Sequence, residues 1–290
     1  MLETVPNVSE GRDPAAIAAI GRAFSASARL LDVHSDPDHH RSVFTLAADR
    51  DDLADALVSG VARACELIDL RRHQGVHSRV GAADVVPVVP LDPGGMEMAK
   101  AAALAVADRV GRELRLPVFL YGEVGGGRVP AFFRRGGIEE LTRRVRSGEV
   151  APDFGPTELD ARTGAVLVGA RRPLVAYNVD LATDDVDVAR GIAVAVRESN
   201  GGMPGVQAIG LRLPRSGRVQ VSMNVLDLER SPLHEVVKRV REEAAGRGLR
   251  VTGGELVGLV PAEVLEAATA AGAHIAGVDE SRVLERLLGL

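Results

Sequence analysis

Apolar positions along the chain recur in two rhythms, every second residue in short runs and every third or fourth in longer ones, and the two alternate. Residues 2–8 and 29–34 read as strands, as does Arg41-Ser42-Val43-Phe44-Thr45-Leu46-Ala47. Between the first two lies a helical stretch opening with Asp13-Pro14, an N-cap followed by proline at the first helical position. Residues 51–69 set Leu53, Ala56, Leu57, Val61, Ala64, Cys65 and Ile68 at helical spacing, and residues 84–89 make another strand. The order is β-α-β-β-α-β. A helix over residues 96–114 and a strand over residues 117–121 extend it. The glycine-rich run 122–127 that follows lacks a dinucleotide fingerprint and reads as a flexible loop, a candidate lid.

The second half repeats the order without the extension. Residues 174–179 form a strand, 184–197 a helix, and 206–213 with 218–225 a hairpin across Pro214-Arg215-Ser216-Gly217. A helix over residues 232–246 and a strand over 250–257 complete it. The halves open alike, Val5-Pro6-Asn7-Val8-Ser9 against Ala176-Tyr177-Asn178-Val179-Asp180. The fold class is therefore α/β (α+β), two duplicated ferredoxin-like βαββαβ subdomains over residues 1–173 and 174–290. Residues 148–173, rich in Gly and Pro and weakly periodic, are the expected hinge.

Composition narrows the class. With 46% hydrophobic and 26% charged residues the chain is an ordinary globular one, and with no Trp and two Tyr its cores are aliphatic. A net charge of −5 without a basic patch or stacked aromatics argues against nucleic acid. A single cysteine, Cys65, excludes an intrachain disulfide, and its apolar setting reads as a buried structural thiol. No stretch approaches the ~18 apolar residues of a membrane span, and the start lacks a signal-peptide pattern. A cytoplasmic, soluble protein is expected.

Two polar clusters carry candidate chemistry. His34-Ser35-Asp36-Pro37-Asp38-His39-His40-Arg41 lies between two strands. It reads either as a turn closed by aspartate side chains or as a site where imidazoles and carboxylates converge. The metal-phosphoesterase version of that site needs further aspartate motifs that the chain lacks, so no metal is expected. The second cluster is Arg71-Arg72-His73-Gln74-Gly75-Val76-His77-Ser78-Arg79-Val80-Gly81. Gln74 stands where a zinc protease has its glutamate, so the His73/His77 spacing is not a zinc pair. The glycines let backbone approach a ligand, and the arginines suit carboxylates.

At this cluster the sequence resembles the glutamate formimidoyltransferase family, the formiminotransferase domain of formiminotransferase-cyclodeaminase. The resemblance runs from Leu67 through Pro87. It continues at Val5-Pro6-Asn7-Val8-Ser9-Glu10-Gly11, Val118-Phe119-Leu120-Tyr121-Gly122-Glu123, Ala151-Pro152-Asp153-Phe154-Gly155-Pro156, Val221-Ser222-Met223-Asn224-Val225-Leu226-Asp227 and Leu256-Val257-Gly258-Leu259-Val260-Pro261. It covers essentially the whole chain.

The resemblance implies two subdomains with a ligand tunnel between them, tetrahydrofolate as co-substrate, and transfer of a formimino group from N-formimino-L-glutamate to N5 of tetrahydrofolate. The family's catalytic histidine matches His77. An imidazole titrating near neutrality can take the proton N5 loses and return it to the departing glutamate nitrogen. Arg79 and Arg41 are expected to anchor substrate carboxylates, and Gly81 lies in the same motif. The folate-contacting segment maps to residues 155–164, with Gly155, Pro156, Thr157 and Gly164. Asn7, Asn178 and Asn224, read as corresponding strand positions, are expected to line the tunnel or to cap strand ends. One departure stands out: His34 replaces an aspartate of the family, and Asp36 or Asp38 is left to supply the carboxylate that orients an imidazole. Formyl transfer between 5-formyltetrahydrofolate and glutamate, and a non-catalytic folate-binding paralogue, stay open as alternatives. A homodimer and a separate cyclodeaminase partner are further expectations from the family.

Overall fold

The computed structural model describes residues 1–76 and 78–290, and the chain divides into two units, Met1–Arg172 and Pro173–Leu290. In the first, the expected opening strand is two short ones, β1 (Leu2–Thr4) and β2 (Asn7–Val8). Pro6 has no N–H for a ladder and interrupts them, although its carbonyl still accepts the Phe44 N–H at 3.0 Å. Both pieces lie antiparallel between β4 (Arg41–Ala48) and β5 (Ala83–Pro90), and β3 (Arg29–Asp36) pairs with the other side of β4.

Helix α1 (Pro14–Phe24) starts where expected, the Asp13 carboxylate accepting the Ala15 and Ala16 N–H groups. It packs with α2 (Arg50–Leu67) and α3 (Met96–Glu113) on one sheet face, over buried Phe44 and Leu46 of β4. Burying each such side chain contributes about 2 kcal/mol. Cys65, half-buried against this core, has its thiol pushed up to about 11, chiefly by burial, so it is protonated and inert at neutral pH.

The extension departs from the sequence reading. After β6 (Val118–Gly122) come α4 (Pro130–Arg134), α5 (Gly137–Arg146) and a strand β7 (Val166–Ala170). β7 runs parallel between β5 and β6, fully buried, so the expected hinge over residues 148–173 instead supplies an interior strand of the first sheet. Residues 122–127 are likewise no open lid. The N–H groups of Gly125 and Gly127 both donate to the Gly122 carbonyl, closing the run into a turn.

The second unit contains β8 (Val175–Leu181), α6 (Val186–Val196), β9 (Val206–Arg212), β10 (Val219–Val225), α7 (Leu233–Ala245) and β11 (Val251–Val257), followed by α8 (Ala262–Ala270) and α9 (Leu284–Leu288). Its sheet is antiparallel, ordered β11-β8-β10-β9. Strict alternation buries Val175, Tyr177, Val179, Val221 and Met223 in a core with α6 and α7. The strand order of this unit recurs in the first as β5, β1/β2, β4, β3.

Candidate active site

Directly opposed residues in a sheet share a face, so the strand registers locate the sequence-derived candidates. Asp36 lies across from Arg41, His34 from Val43, and Val43 from Asn7. Asn7, His34, Asp36 and Arg41 therefore project from one face of the first sheet, the face opposite the Phe44–Leu46 core. The Asn7 side-chain amide donates to the Val5 carbonyl at 2.9 Å, which closes the break between β1 and β2.

The two histidine-bearing clusters pack against each other. In the turn after β3, Asp36 accepts the Asp38 and His39 N–H groups on Oδ1 (2.7 and 2.8 Å) and meets His39 Nδ1 with Oδ2 at 2.8 Å. Asp36 thus orients His39, which is almost fully buried. Asp38 gives its carbonyl to the Val76 N–H at 3.3 Å. His73 Nε2 lies 2.9 Å from the His40 carbonyl and 3.1 Å from Arg79 Nη1, and the His40 and His73 rings stack at 4.0 Å. His40 takes φ 50°, a left-handed conformation costing about 1 kcal/mol. There its Nδ1 accepts the Gly11 N–H at 3.1 Å, with Glu10 Oε1 3.4 Å away. A Cβ on Gly11 would stand 2.3 Å from the Asp36 carbonyl oxygen, so only glycine passes under this turn.

Burial opposes the charge on Asp36, but the His39 side chain and the His39 and Asp38 N–H groups outweigh it and hold the carboxyl well below its ordinary range. A depressed folded-state value stabilises fully above the unfolded value, roughly pH 4, and the contribution drains as pH falls towards the folded one. Asp36→Asn is therefore expected to lower the melting temperature at pH 7 and to cost less near pH 2. Equal losses at both pH values would contradict this account.

His77 lies outside the described residues; its neighbours do not. Gly75 fits against the His39 carbonyl, where a Cβ would stand 2.4 Å from the oxygen. Beyond Arg79 the chain is fixed to the folate-segment candidates. Gly81 bridges to Gly164, the Ala82 N–H donates to the Thr163 carbonyl, and the Ala165 N–H to the Val80 carbonyl, both at 2.9 Å. Gly164 (φ 70°) and Gly81 are glycines because carbonyls abut them. Gly155 (φ 77°) sits at the other end of its segment against the Leu116 carbonyl, with Pro156 half-buried and Thr157 exposed.

Around Arg41 the charge is predominantly positive. Burial first, then the nearby Arg134 and Arg79, draw its guanidinium down to about 10 against the pull of Asp84 and Asp36. Arg79 is drawn to about 10 by burial and by Arg134 and Arg12, opposed by Asp84. Both stay charged at neutral pH. Asp84 accepts the Val80 N–H at 2.7 Å and binds the Arg134 guanidinium. Sequence reasoning singled out neither Asp84, which reads as a strand residue, nor Arg134, on a five-residue helix far along the chain. His39, His40 and His73 were visible only as members of their clusters. Among the described residues no group of three His, Cys, Asp or Glu side chains is placed to hold a metal.

In the second unit Asn178 is buried on β8, its amide donating to Glu255 at 3.3 Å. It lies between β10 and β11 as Asn7 lies between β4 and β5, the corresponding place in each sheet. Asn224 does not correspond to either: it lies on β10, across from Ala176, one strand over and exposed.

Comparison with known proteins matches each unit to its own family model. Residues 1–171 match the formiminotransferase domain, N-terminal subdomain, and residues 176–284 the formiminotransferase domain. The chain is 37% identical to a glutamate formimidoyltransferase of Thermoplasma acidophilum, with 99% of this chain and 96% of that one aligned. It is 38% identical to the enzyme of the same description from Streptococcus pyogenes, covering 91% and 90%. Against a formimidoyltransferase-cyclodeaminase of Sus scrofa it is 39% identical over 91% of its own length, and spans about half, 51%, of that protein.

Proposed function

The chain belongs to the formiminotransferase family, and from that premise we propose that it transfers the formimino group of N-formimino-L-glutamate to N5 of tetrahydrofolate, releasing glutamate. The observation carrying this reading is the match of both units, at 37% identity, to a glutamate formimidoyltransferase of nearly the same length. N5 attacks the formimino carbon to give a tetrahedral adduct. His77 takes the N5 proton and returns it to the glutamate nitrogen, whose bond to carbon then breaks. Proton transfers suffice for these steps, so the reading uses tetrahydrofolate as co-substrate and no metal.

Arg41 and Arg79 serve in this reading as carboxylate anchors. Asn7, His34, Gly81, Gly155, Pro156, Thr157, Gly164, Asn178 and Asn224 are assigned to substrate and folate contact, and Asp36 acts there through His39. The product, 5-formiminotetrahydrofolate, passes to a cyclodeaminase activity. Among the described residues no helix is long and apolar enough to cross a membrane; we place the enzyme in the cytoplasm, as a homodimer that sedimentation equilibrium would register directly. The test of the function is turnover. Protein mixed with both substrates is expected to produce 5-formiminotetrahydrofolate by absorbance, dependent on each substrate. Absence of product at saturating concentrations of both would overturn the reading.

A further inference from the structure

We propose that Arg134, held by Asp84, completes with Arg41 and Arg79 a binding site for the α-carboxylate of the formimino donor and of the glutamate it becomes. This rests on the transfer reading above and adds the residues that recognise the amino-acid end of the donor.

Asp84 stands at an irregularity in β5. Asn7 pairs with Val85 and Val8 with Ala83, so residue 84 is the extra one of a β-bulge. Bulges re-aim side chains beside functional sites. The Asp84 carboxylate, only 4% exposed, accepts the Val80 N–H from the loop that carries Arg79, and with its other oxygen binds Arg134 at the end of α4. One buried carboxylate thus fixes both the loop and the guanidinium.

Its charge does not balance the cluster. Arg41, across the ladder from Asp36, makes no ion pair within 4 Å among the described residues, and Arg134 Nε is buried without a hydrogen-bond partner. Asp36 spends both oxygens on the turn and His39. Three half-buried guanidiniums gathered near two carboxylates, Asp84 and Asp36, leave positive charge in excess, which is costly unless an anion joins them. Guanidinium forks match carboxylates in a planar, bidentate fashion.

Two substrates bring glutamyl carboxylates. In the donor the α-carboxylate is three bonds from the formimino carbon, on the far side of the nitrogen that must accept the proton. In tetrahydrofolate the glutamyl carboxylates are separated from N5 by a methylene, N10, an aryl ring and an amide. Arg79 is two residues from His77, and Val80 is bound to the carboxylate that holds Arg134, so the cluster is tied to the catalyst's own loop and favours the donor.

The test is calorimetric binding of L-glutamate, alongside steady-state KM for each substrate. Arg41→Gln removes a guanidinium that makes no ion pair among the described residues. Asp84→Asn combined with Arg134→Gln removes both charges of the buried pair together, so neither is stranded. Both are expected to weaken glutamate binding and raise the donor KM by about tenfold or more, the scale of a lost charged hydrogen bond, while the tetrahydrofolate KM stays within about twofold. A donor built on 4-aminobutyrate, lacking the α-carboxylate, should be poor for the native enzyme and little poorer for Arg41→Gln. Folded variants that bind glutamate as the native protein does would overturn the site while leaving the transfer reading intact, provided the native enzyme turns over. A rise confined to the tetrahydrofolate KM would assign the cluster to the folate tail and also overturn it. Glutamate binding lost in the variants of a protein that shows no turnover would support the site and overturn the reaction.

Discussion

Replacing His77 by alanine is expected to lower kcat by about a hundredfold or more, the scale of general acid–base catalysis, with folate binding preserved. The size of the loss follows from what the other imidazoles are doing. His39 is nearly fully buried and bound through Nδ1 to Asp36. His73, four residues before His77, lies with Nε2 between the His40 carbonyl and Arg79. His40 offers its Nδ1 to the Gly11 N–H. His39 is thus committed within the turn, His40 to Gly11 and His73 to the join between loop and turn, so none of the three is positioned to take over a substrate proton. Single-turnover measurements separate the step from release: the variant should bind tetrahydrofolate and form adduct slowly. A loss of less than about tenfold would move the proton transfer to another group, and His34, on the same sheet face as Arg41, would be the first to replace.

The ordering of most strands and helices was legible because the chain obeys local rules there. The alternation in β8 and β10 is nearly perfect, and the Asp13-Pro14 cap sits where its helix begins. β7 was not legible. Its five residues form a continuous apolar run inside a Gly- and Pro-rich stretch, and period-2 patterning disappears when a parallel strand is buried on both faces. The site divides in the same way. Both histidine clusters can be read from the sequence, but their packing is a tertiary fact, set by bonds such as Val76 N–H to the Asp38 carbonyl across almost forty residues. Arg134 had no local signal at all, because its meaning lies in a buried aspartate fifty residues earlier. Even the family resemblance, which names His77, does not say that Asp36 is committed to His39 rather than to the catalyst.

Gly81→Ala is the second change expected to act strongly, and it separates two explanations of a glycine beside the loop proposed to carry the catalyst. If Gly81 matters only because a ligand approaches its backbone, an added methyl should raise KM and leave the melting temperature alone. The surroundings argue otherwise. The new Cβ would stand 1.8 Å from the Ala165 carbonyl oxygen and 2.8 Å from that of Ala83, both backbone atoms of ordered structure. Relief requires opening the Gly81–Gly164 bridge, and with it the bonds from Ala82 to Thr163, from Ala165 to Val80 and from the Ser9 hydroxyl to the Gly81 carbonyl. Overpacking of this kind costs about 3 kcal/mol, and a displacement of about 1 Å in the loop ahead of it can cost about a hundredfold in rate. The variant is therefore expected to melt lower and to lose kcat/KM by about that factor. Gly164→Ala should behave alike, since its Cβ would meet the Val80 carbonyl from the other side at 2.1 Å. An alanine variant that melts like the native protein would show that the bridge yields without cost and that Gly81 is there for the ligand.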